Sequence, residues 1–196
     1  MTEIELAGVE ASAQVGQVDE ELALAACSNP KNFDLLYRRH QLGVFRFIRA
    51  RTVSDDEAAE LTAVVFERAL RAIEKYRPSG GRFVAWLFTI ARNAALDADR
   101  ARRRHGLVRW ADPDPQSEPQ EPVLLEDTVV ERERILDLRA RVERLPDVQR
   151  DAIVLRYAGR LTAREIAAII GKSEAATQKI LGRALDTLRE SYRDDA

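Results

Sequence analysis

Apolar side chains recur every three or four positions along three stretches in the first half of the chain, a period typical of helices that bury one face. The first stretch covers residues 33–51. The second follows Ser54 or Asp55, either of which can cap a helix, and the third starts near Arg82. The apolar positions are Phe33, Leu36, Tyr37, Val44, Phe45 and Ile48 in the first stretch, Leu61, Val65, Phe66, Leu70 and Ile73 in the second, and Phe83, Leu87, Ile90, Ala91 and Ala94 in the third. The pattern predicts a helical N-terminal domain.

The segment 161–173 has the signals of two short helices joined by a tight turn. Thr162, with Glu165 three residues later, forms a capping-box pattern. Gly171 can adopt the left-handed backbone that ends a helix, and Ser173 can cap the next helix. On that next helix, Leu181, Leu185, Leu188 and Tyr192 are expected to face inward, and Glu174, Gln178, Lys179, Gly182 and Arg183 to face outward. The pattern predicts a DNA-binding helix-turn-helix, although a capped helical hairpin also occurs in bundles that bind no DNA.

Four prolines among acidic residues between Asp112 and Pro122 exclude a regular helix there and favour an extended, self-repelling linker. The predicted fold class is therefore all-α, with two small helical domains on either side of an acidic, proline-rich linker. The predicted bounds are a largely disordered acidic tail over 1–30, an N-terminal helical bundle over 31–104, the linker over 105–133 and a helix-turn-helix domain over 134–196.

The formal net charge of -2 conceals a strong segregation of charge along the 196 residues. Residues 1–30 hold six acids and no Lys or Arg, residues 68–110 hold eleven Lys or Arg against three acids, and residues 111–127 hold six acids and no base. Such asymmetry favours a surface that faces nucleic acid, flanked by acidic segments that compete for it or occupy another basic channel. A merely solvated basic face and a plain solvated linker remain open alternatives.

A short glycine loop with basic ends, from Tyr76 to Arg82, precedes Phe83 and Trp86. Cations for phosphates and an aromatic surface for an unstacked base are what single-stranded recognition needs. Trp86 lies at helical spacing from Phe83 and is better interpreted as a core residue. Arg77 and Arg82 are the stronger candidates for DNA contact.

The composition and motifs of the chain give little indication of an enzyme or of a metal site. The single cysteine, Cys27, cannot form an internal disulfide, and two histidines cannot build a histidine cluster. The sequence has no phosphate-binding loop, dinucleotide fingerprint or nucleophile elbow, and no run of apolar residues long enough to span a membrane. We therefore expect a cytoplasmic protein that is not an enzyme, has no cofactor or metal and makes no membrane contact of its own.

Together these segments resemble the extracytoplasmic-function (ECF) sigma factors, a group within the sigma-70 family. In the N-terminal domain the resemblance rests on Phe33, Leu36, Tyr37, His40, Val44 and Phe47, on the stretches 58–62 and 65–69, and on Phe83, Trp86, Leu87, 90–93, Asp97 and Arg100. In the C-terminal domain it rests on Leu145, Pro146, Gln149, Arg150, 155–157, Gly159, Leu161, 165–167, Ile170, Gly171, Ser173, Arg183, Ala184, Leu188 and Arg189. The match covers about residues 31–104 and 134–190, in the family's order and with its linker.

The resemblance implies a dissociable initiation subunit that binds core RNA polymerase and promoter DNA, and that is often held by an anti-sigma factor. One domain docks on polymerase and opens the minus-ten element, and the other reads the minus-thirty-five duplex. By the family pattern, the polymerase-binding residues are Asp56, Glu60, Glu67 and Arg68, with Phe66 in the core. The minus-ten residues are Arg77, Arg82, Arg92, Asn93, Asp97, Arg100, Arg103 and Arg104, and the minus-thirty-five residues are Lys172, Ser173, Gln178, Lys179 and Arg183.

Several positions depart from the family pattern. Ala63 and Val64 replace the common glutamine and acid of the polymerase-binding stretch, and Glu60 replaces an aspartate. Gln178 and Ile180 fall where basic residues are common in the recognition helix, and Ala175 replaces a glycine there. We therefore expect rearranged docking contacts and a weaker grip on phosphates, with promoter binding that depends on polymerase.

Two other classes of protein remain open on the sequence. A classical helix-turn-helix repressor would use residues 31–104 for ligand binding or dimerisation and would bind palindromic sites as a dimer. A helical protein-interaction adaptor would bind no DNA at all. A repressor leaves the placement of the basic residues in the N-terminal domain unexplained, and an adaptor would show no salt-sensitive affinity for DNA even with polymerase present.

Overall fold

The computed structural model describes residues 18–78, 82–104 and 129–193. Within these residues the regular structure is helical throughout, which confirms the predicted all-α class. The helices are α1 (18–28), α2 (Phe33–Arg49), α3 (Asp55–Ala72), α4 (Phe83–Arg104), α5 (Val129–Arg144), α6 (Asp147–Tyr157), α7 (Ala163–Ile170) and α8 (Glu174–Arg193). Single turns of 3-10 helix cover Pro30–Asn32 and Ile73–Lys75.

Helices α2, α3 and α4 pack against one another and form the core of the first domain. Helix α3 begins where the sequence predicts, because the Ser54 hydroxyl accepts a hydrogen bond from the Glu57 N–H at 3.2 Å. Phe47, a core residue that the apolar period omits, is fully buried. Tyr37 and Leu70 were expected on the apolar faces but are each about two fifths exposed, since they lie at the edge of the α2–α3 contact rather than inside it.

The prediction of a largely disordered tail over residues 1–30 is wrong for its last third. Residues 18–28 form α1, and Ala23 and Ala26 on that helix have no exposed surface. Leucine and alanine are strong helix formers, and burial of this small apolar face outweighs the acidic composition on which the prediction rested. Residues 1–17 lie outside the described part of the chain.

Two acidic residues of α1 are bound by groups of the first domain. Asp19 is buried, accepts a hydrogen bond from Arg39 Nη1 at 2.6 Å and lies 3.0 Å from His40 Nε2. Glu20 accepts one from the Phe83 N–H, at the start of α4, at 2.6 Å. Burial by itself raises the pKa of Asp19, but hydrogen bonds and charges from His40 and Arg39 outweigh it and hold the pKa below its usual value. The acids of α1 thus attach this helix to the bundle.

Helices α5 to α8 form the second domain, in which α8 packs on α6 and α7. Helix α5 begins at Val129, so it starts inside the segment 105–133 that was predicted to be linker. The last proline before α5 is Pro122, and no glycine or proline interrupts the chain until Pro146, so nothing prevents an earlier helix start. The linker residues 105–128 lie outside the described part of the chain.

The two domains are in direct contact, an arrangement that the predicted tether does not suggest. One hydrophobic core runs from α2 and α4 into α6 and α7. A Cβ on Gly43 of α2 would lie 2.8 Å from the carbonyl oxygen of Ala158, closer than real Cβ atoms approach. On the other side, a Cβ on Gly159 would lie 3.1 Å from the Phe88 ring. Glycine at 43 lets the α2 backbone approach the Ala158 carbonyl, and glycine at 159 leaves room for the Phe88 ring.

Candidate nucleic-acid interface

The helix-turn-helix of α7 and α8 has the capping geometry that its sequence predicts. The Thr162 hydroxyl accepts a hydrogen bond from the Glu165 N–H at 3.3 Å, and Glu165 Oε2 accepts one from the Thr162 N–H at 2.8 Å. Gly171 ends α7 with a φ of 69°, in the left-handed region. Ser173 caps α8 through its hydroxyl, which accepts from the Ala176 N–H at 3.2 Å. These local contacts confirm the predicted turn and set the direction in which α8 leaves it.

The outward face of α8 carries the residues expected to meet the major groove. Lys172, Ser173, Gln178, Lys179 and Arg183 are all exposed, as are Glu174 and Gly182. The prediction for the inward face is wrong at Tyr192, which is 45% exposed and stacks on the Arg141 guanidinium at 4.0 Å. Thr177 and Ala184 are instead fully buried. Because both are small, they let α8 approach the helices beneath it closely.

A second exposed polar face runs along α4. Asn93, Asp97, Arg100, Arg103 and Arg104 are all exposed there. Asp97 accepts a hydrogen bond from Arg68 on α3 at 3.1 Å and lies 3.6 Å from Arg100 Nη1. Exposed pairs of this kind contribute little to stability, so these arginines can exchange a carboxylate for a phosphate at low cost. The face thus offers cations at regular helical spacing.

The aromatic residues near the loop are packed rather than presented to solvent. Tyr76 and Phe83 are buried, and Trp86 is partly buried against both rings, at centroid distances of 5.2 and 5.5 Å. This confirms the interpretation of Trp86 as a core residue. Arg77 is exposed and donates to the carbonyl oxygens of Glu74 and Tyr76. Residues 79–81 of the loop lie outside the described part of the chain.

Two of the predicted minus-ten residues, Arg82 and Arg92, face the second domain instead of solvent. Arg82 donates through Nε and Nη2 to the two carboxylate oxygens of Glu165, each at 2.7 Å. Arg92 Nε donates to Asp151 at 3.3 Å, and Arg51 donates to the same carboxylate. The partners are 59 to 100 residues apart in the chain. The sequence gives no signal for such distant pairs, and Arg51 and Asp151 were not among the predicted site residues.

The pKa values of Arg82, Glu165 and Arg51 are shifted by burial and by the charged groups beside them. The hydrogen bond to Glu165 raises the pKa of Arg82 against a smaller opposing effect of burial. Burial alone raises the pKa of Glu165, but hydrogen bonds from Arg82 and Thr162 outweigh it and lower the pKa. Burial lowers the pKa of Arg51, and the charge of Asp151 opposes this shift. The contact between Arg82 and Glu165 is therefore an ion pair at neutral pH.

The residues expected to bind polymerase share the solvent face of α3. Asp56, Glu60, Glu67 and Arg68 are exposed, and Phe66 is 5% exposed, which confirms its placement in the core. Glu67 is bound to Arg71 at 2.6 Å, four residues later on the same helix. The face is accessible in the arrangement in which the two domains touch.

Among the residues that the structure describes, no group of three or more His, Cys, Asp or Glu is placed to hold a metal ion. None of the described helices is long and apolar enough to cross a membrane.

Comparison with known protein families defines the class of this chain. The model for Sigma-70 region 2 matches residues 36–105, which include nearly all of α2 and the whole of α3 and α4. The model for Sigma-70 region 4 matches residues 135–188, from α5 into α8. The chain is thus a sigma-70 protein in which these two regions occur in order.

Sequence similarity to individual proteins identifies the group within the sigma-70 family. The ECF RNA polymerase sigma factor BldN of Streptomyces coelicolor is 34% identical over 164 residues, which cover 84% of this chain and 61% of BldN. The ECF RNA polymerase sigma factor ShbA of Streptomyces griseus is 32% identical over 172 residues, which cover 80% of this chain and 84% of ShbA. The chain belongs to the family of ECF RNA polymerase sigma factors.

A solved structure has the same fold. The sigma factor RpoE of Bartonella quintana, determined in complex with the anti-sigma factor NepR, superposes with a TM-score of 0.68. The two are 22% identical, and the superposition covers 85% of this chain and 99% of RpoE. At that identity the likeness establishes the arrangement of helices.

Proposed function

We propose that this chain is an initiation subunit that directs RNA polymerase to promoters by opening a minus-ten element and reading a minus-thirty-five element. The observation that carries the proposal is the joint presence of two exposed polar faces with basic residues, on α4 and α8, in the two regions that define the family. The chain would contribute binding and strand separation, with catalysis, cofactor and metal left to polymerase. Its place of action would be the cytoplasm.

The face of α4 is proposed to hold the separated minus-ten strand. Asn93, whose carboxamide has one acceptor oxygen and one NH2 donor for a base edge, is exposed on it, as are Arg100 and Arg103, which can hold phosphates. Arg77 and Arg104 extend the same positive surface, and both are exposed. Arg82 and Arg92 would join this site only after they leave their partners in the second domain. Asp97 would set the positions of Arg68 and Arg100 rather than contact DNA directly.

The outward face of α8 is proposed to enter the major groove of the minus-thirty-five element. Gln178 can pair with the edge of an adenine, and Lys179 and Arg183 can hold phosphates. Lys172 and Ser173 lie at the turn that precedes α8, where their exposed side chains can reach the DNA backbone. With three cations the isolated second domain should bind duplex DNA with a modest dependence on salt.

Polymerase is proposed to bind the solvent face of α3, through Asp56, Glu60, Glu67 and Arg68. This face is exposed and carries three carboxylates that can pair with cations of polymerase. Two modules tethered to one rigid platform bind specifically where each alone is weak. Polymerase would be that platform. An anti-sigma factor is proposed as a further partner, since RpoE, which has the same fold, was solved with one.

The direct test combines the chain with core bacterial RNA polymerase and a library of randomised promoters, and sequences the transcript starts. We expect starts grouped downstream of one shared two-part motif. A folded chain that binds core polymerase and produces no such starts would contradict the proposal. A chain that instead binds palindromic DNA as a dimer without polymerase would be a repressor.

The face of α4 has its own test. Replacing Arg100 and Arg103 by Ala should reduce opening of the minus-ten element about tenfold, because two phosphate contacts are lost, while polymerase affinity stays unchanged. Opening is followed by permanganate reactivity of minus-ten thymines. Arg38→Ala is the matched control, since Arg38 and Arg100 are each 72% exposed and each is paired only locally with an aspartate. Lost polymerase affinity with normal opening would show that this face was assigned wrongly.

A further inference from the structure

A cavity of about 550 Å³ lies between α2, α5, α6 and α8, away from the exposed polar faces of α4 and α8. Small-molecule sites in proteins have volumes of about 300–1,000 Å³, so the cavity is large enough for a ligand. All four helices contribute to its wall, and the apolar side chains there include Phe45, Ile135, Leu138, Val142, Ile153 and Leu188. Ile153 and Leu188 are buried, whereas Ile135 and Leu138 are 39% and 46% exposed, so the cavity can be reached from solvent beside α5.

The charged side chains of the cavity wall contact one another. Arg49 of α2 and Arg139 of α5 both donate to Oδ1 of Asp55, the second at 3.0 Å. The two arginine side chains are 14% and 24% exposed, so their positive charges are partly removed from water. Both also lie near Oε1 of Glu143, at 3.5 and 3.4 Å. A third arginine, Arg46, lines the same cavity.

Glu143 is the more loosely held of the two carboxylates. Its distances to the arginines are at the outer limit of a hydrogen bond, whereas Asp55 lies within normal range. The Glu143 side chain is 34% exposed, against 10% for Asp55, so it can turn to solvent at low cost. A carboxylate of a ligand could then take its place beside Arg49 and Arg139, because each guanidinium has five N–H donors.

The size of the cavity favours a small molecule over a protein segment. An α-helix with its side chains is about 10–12 Å across and rises 5.4 Å per turn, so two turns occupy on the order of 1,000 Å³. That volume exceeds the volume of the cavity, so a helix would enter only if the surrounding helices moved apart. A single alkyl chain is thin enough to enter without such a movement, and each methylene that it buries adds to binding.

We propose that this cavity binds an amphipathic carboxylate, with its alkyl chain among the apolar side chains and its carboxylate beside Arg49 and Arg139. Charge complementarity selects the anion, because, in the described part of the chain, three of the four charged residues that line the cavity are arginines. The site does not include the exposed residues of α3, α4 and α8 to which DNA and polymerase were assigned. The proposal therefore does not depend on the proposed function.

The first experiment titrates the full-length chain with octanoate, decanoate and dodecanoate, below the concentrations at which they form micelles, by isothermal titration calorimetry. We expect one saturable site whose affinity rises about tenfold for every two carbons, because each added methylene is buried. Dodecyltrimethylammonium, which has the same chain and a cationic head, should bind at least about tenfold more weakly than dodecanoate. Affinity that is independent of chain length, or equal binding of the cation, would overturn the proposal.

The second experiment changes the carboxylate that the ligand is proposed to replace. Glu143→Gln should raise the affinity for dodecanoate about tenfold, because the competing negative charge is gone and the two arginines still need an anion. Glu133→Gln is the matched control, since it makes the same change of charge on an exposed residue of the same helix that does not line the cavity. The control should change the affinity less than about twofold, because an exposed and distant charge is screened. An unchanged or lower affinity for Glu143→Gln would contradict the placement of the carboxylate.

The apolar wall has its own pair of variants. Leu138→Asp removes apolar surface from the cavity and adds a negative charge, so it should weaken the binding of dodecanoate about tenfold or more. Leu136→Asp is the matched control: Leu136 lies on the same helix, is 45% exposed against 46% for Leu138, and does not line the cavity. Equal weakening by both variants would show that the ligand does not occupy this cavity.

The remaining outcomes also decide the proposal. If no carboxylate of the series binds at a saturable site, the proposal is wrong, and the apolar surface is left to a helix of a protein partner. If Glu143→Gln does not fold, the titration of the wild-type chain and the two leucine variants decide, because they leave Arg49, Arg139 and Glu143 in place. Transcript starts with core polymerase test the proposed function separately, so either proposal can fail without the other.

Discussion

Replacing Glu20 by Ala should destabilise the first domain, although Glu20 belongs to the acidic segment that composition assigns to a tail. In the folded chain its carboxylate accepts hydrogen bonds from the Phe83 N–H at 2.6 Å and from the Tyr76 hydroxyl. These two donors flank the segment that joins the 3-10 turn after α3 to the start of α4. One carboxylate from α1 therefore holds both ends of that segment.

The expected magnitude follows from the burial of the two donors. Tyr76 is 3% exposed and Phe83 is fully buried, so neither donor can turn to bulk water when the carboxylate is removed. A buried donor left without an acceptor costs about 1–3 kcal/mol, so the two together should cost about 3 kcal/mol of the free energy of unfolding. Burial and the hydrogen bond to Glu20 raise the pKa of Tyr76, so its hydroxyl remains a donor across the neutral range.

The assay is urea unfolding at pH 7, followed by far-UV circular dichroism. Glu20→Gln keeps one acceptor oxygen and should lose about half as much as Glu20→Ala. Glu21→Ala is the matched control, because Glu21 is the next residue on α1 and is exposed, and its change should stay within about 0.5 kcal/mol. Combining Glu20→Ala with Tyr76→Phe should show a coupling of about 1 kcal/mol.

Two results would overturn this account of α1. A loss below about 1 kcal/mol for Glu20→Ala would mean that the donors find other partners and that the carboxylate does not hold the segment. An equal loss for Glu21→Ala would assign the effect to the helix propensity of α1 rather than to the buried hydrogen bonds.

Three further predictions follow from single contacts. Gly171→Ala should lower the free energy of unfolding by about 1 kcal/mol in thermal or urea melts, because alanine is strained at a φ of 69° although its methyl group meets no neighbour. Asp19→Asn should lower the free energy of unfolding at neutral pH, and its difference from wild type should shrink as the pH falls below 3.8. The reason is that the pKa of Asp19 is lower in the folded state than in the unfolded state, so the stability that the carboxylate contributes is lost as it protonates. A difference that stays constant through the acid range would contradict this. Replacing Lys179 and Arg183 by Ala should reduce the slope of log affinity against log salt for holoenzyme on minus-thirty-five duplex by about 2, and an unchanged slope would remove both residues from the phosphate contact.

The parts of the fold that sequence predicts well are those set by local chemistry. The cap at Ser54, the box formed by Thr162 and Glu165, and the left-handed Gly171 each depend on residues within four positions of one another. The bounds of α2, α3 and α4 follow the apolar period to within about two residues, because each helix buries one face along its whole length. The helices and their capping residues could therefore be predicted from the sequence without knowledge of the tertiary contacts.

The parts that sequence misses depend on distant contacts. Residues 18–28 are acidic, and composition cannot tell a solvated acid from Asp19, which meets its partners only when α1 docks on α2. Arg51 and Asp151 are 100 residues apart, and nothing in the sequence pattern indicates that they form a pair. The exposed face of α4 was predicted, but the covering of Arg82 and Arg92 by the second domain requires the tertiary arrangement.

The carboxylate of Glu165 is shared between a helix start and a domain contact. It accepts from the Thr162 N–H and hydroxyl at the start of α7, and also from Arg82 of the other domain. A substitution at 165 would therefore affect both contacts, whereas a substitution of Arg82 would leave the cap intact. Among relatives, we expect the strength of domain closure to be tuned at the arginine, with the acid or its amide retained.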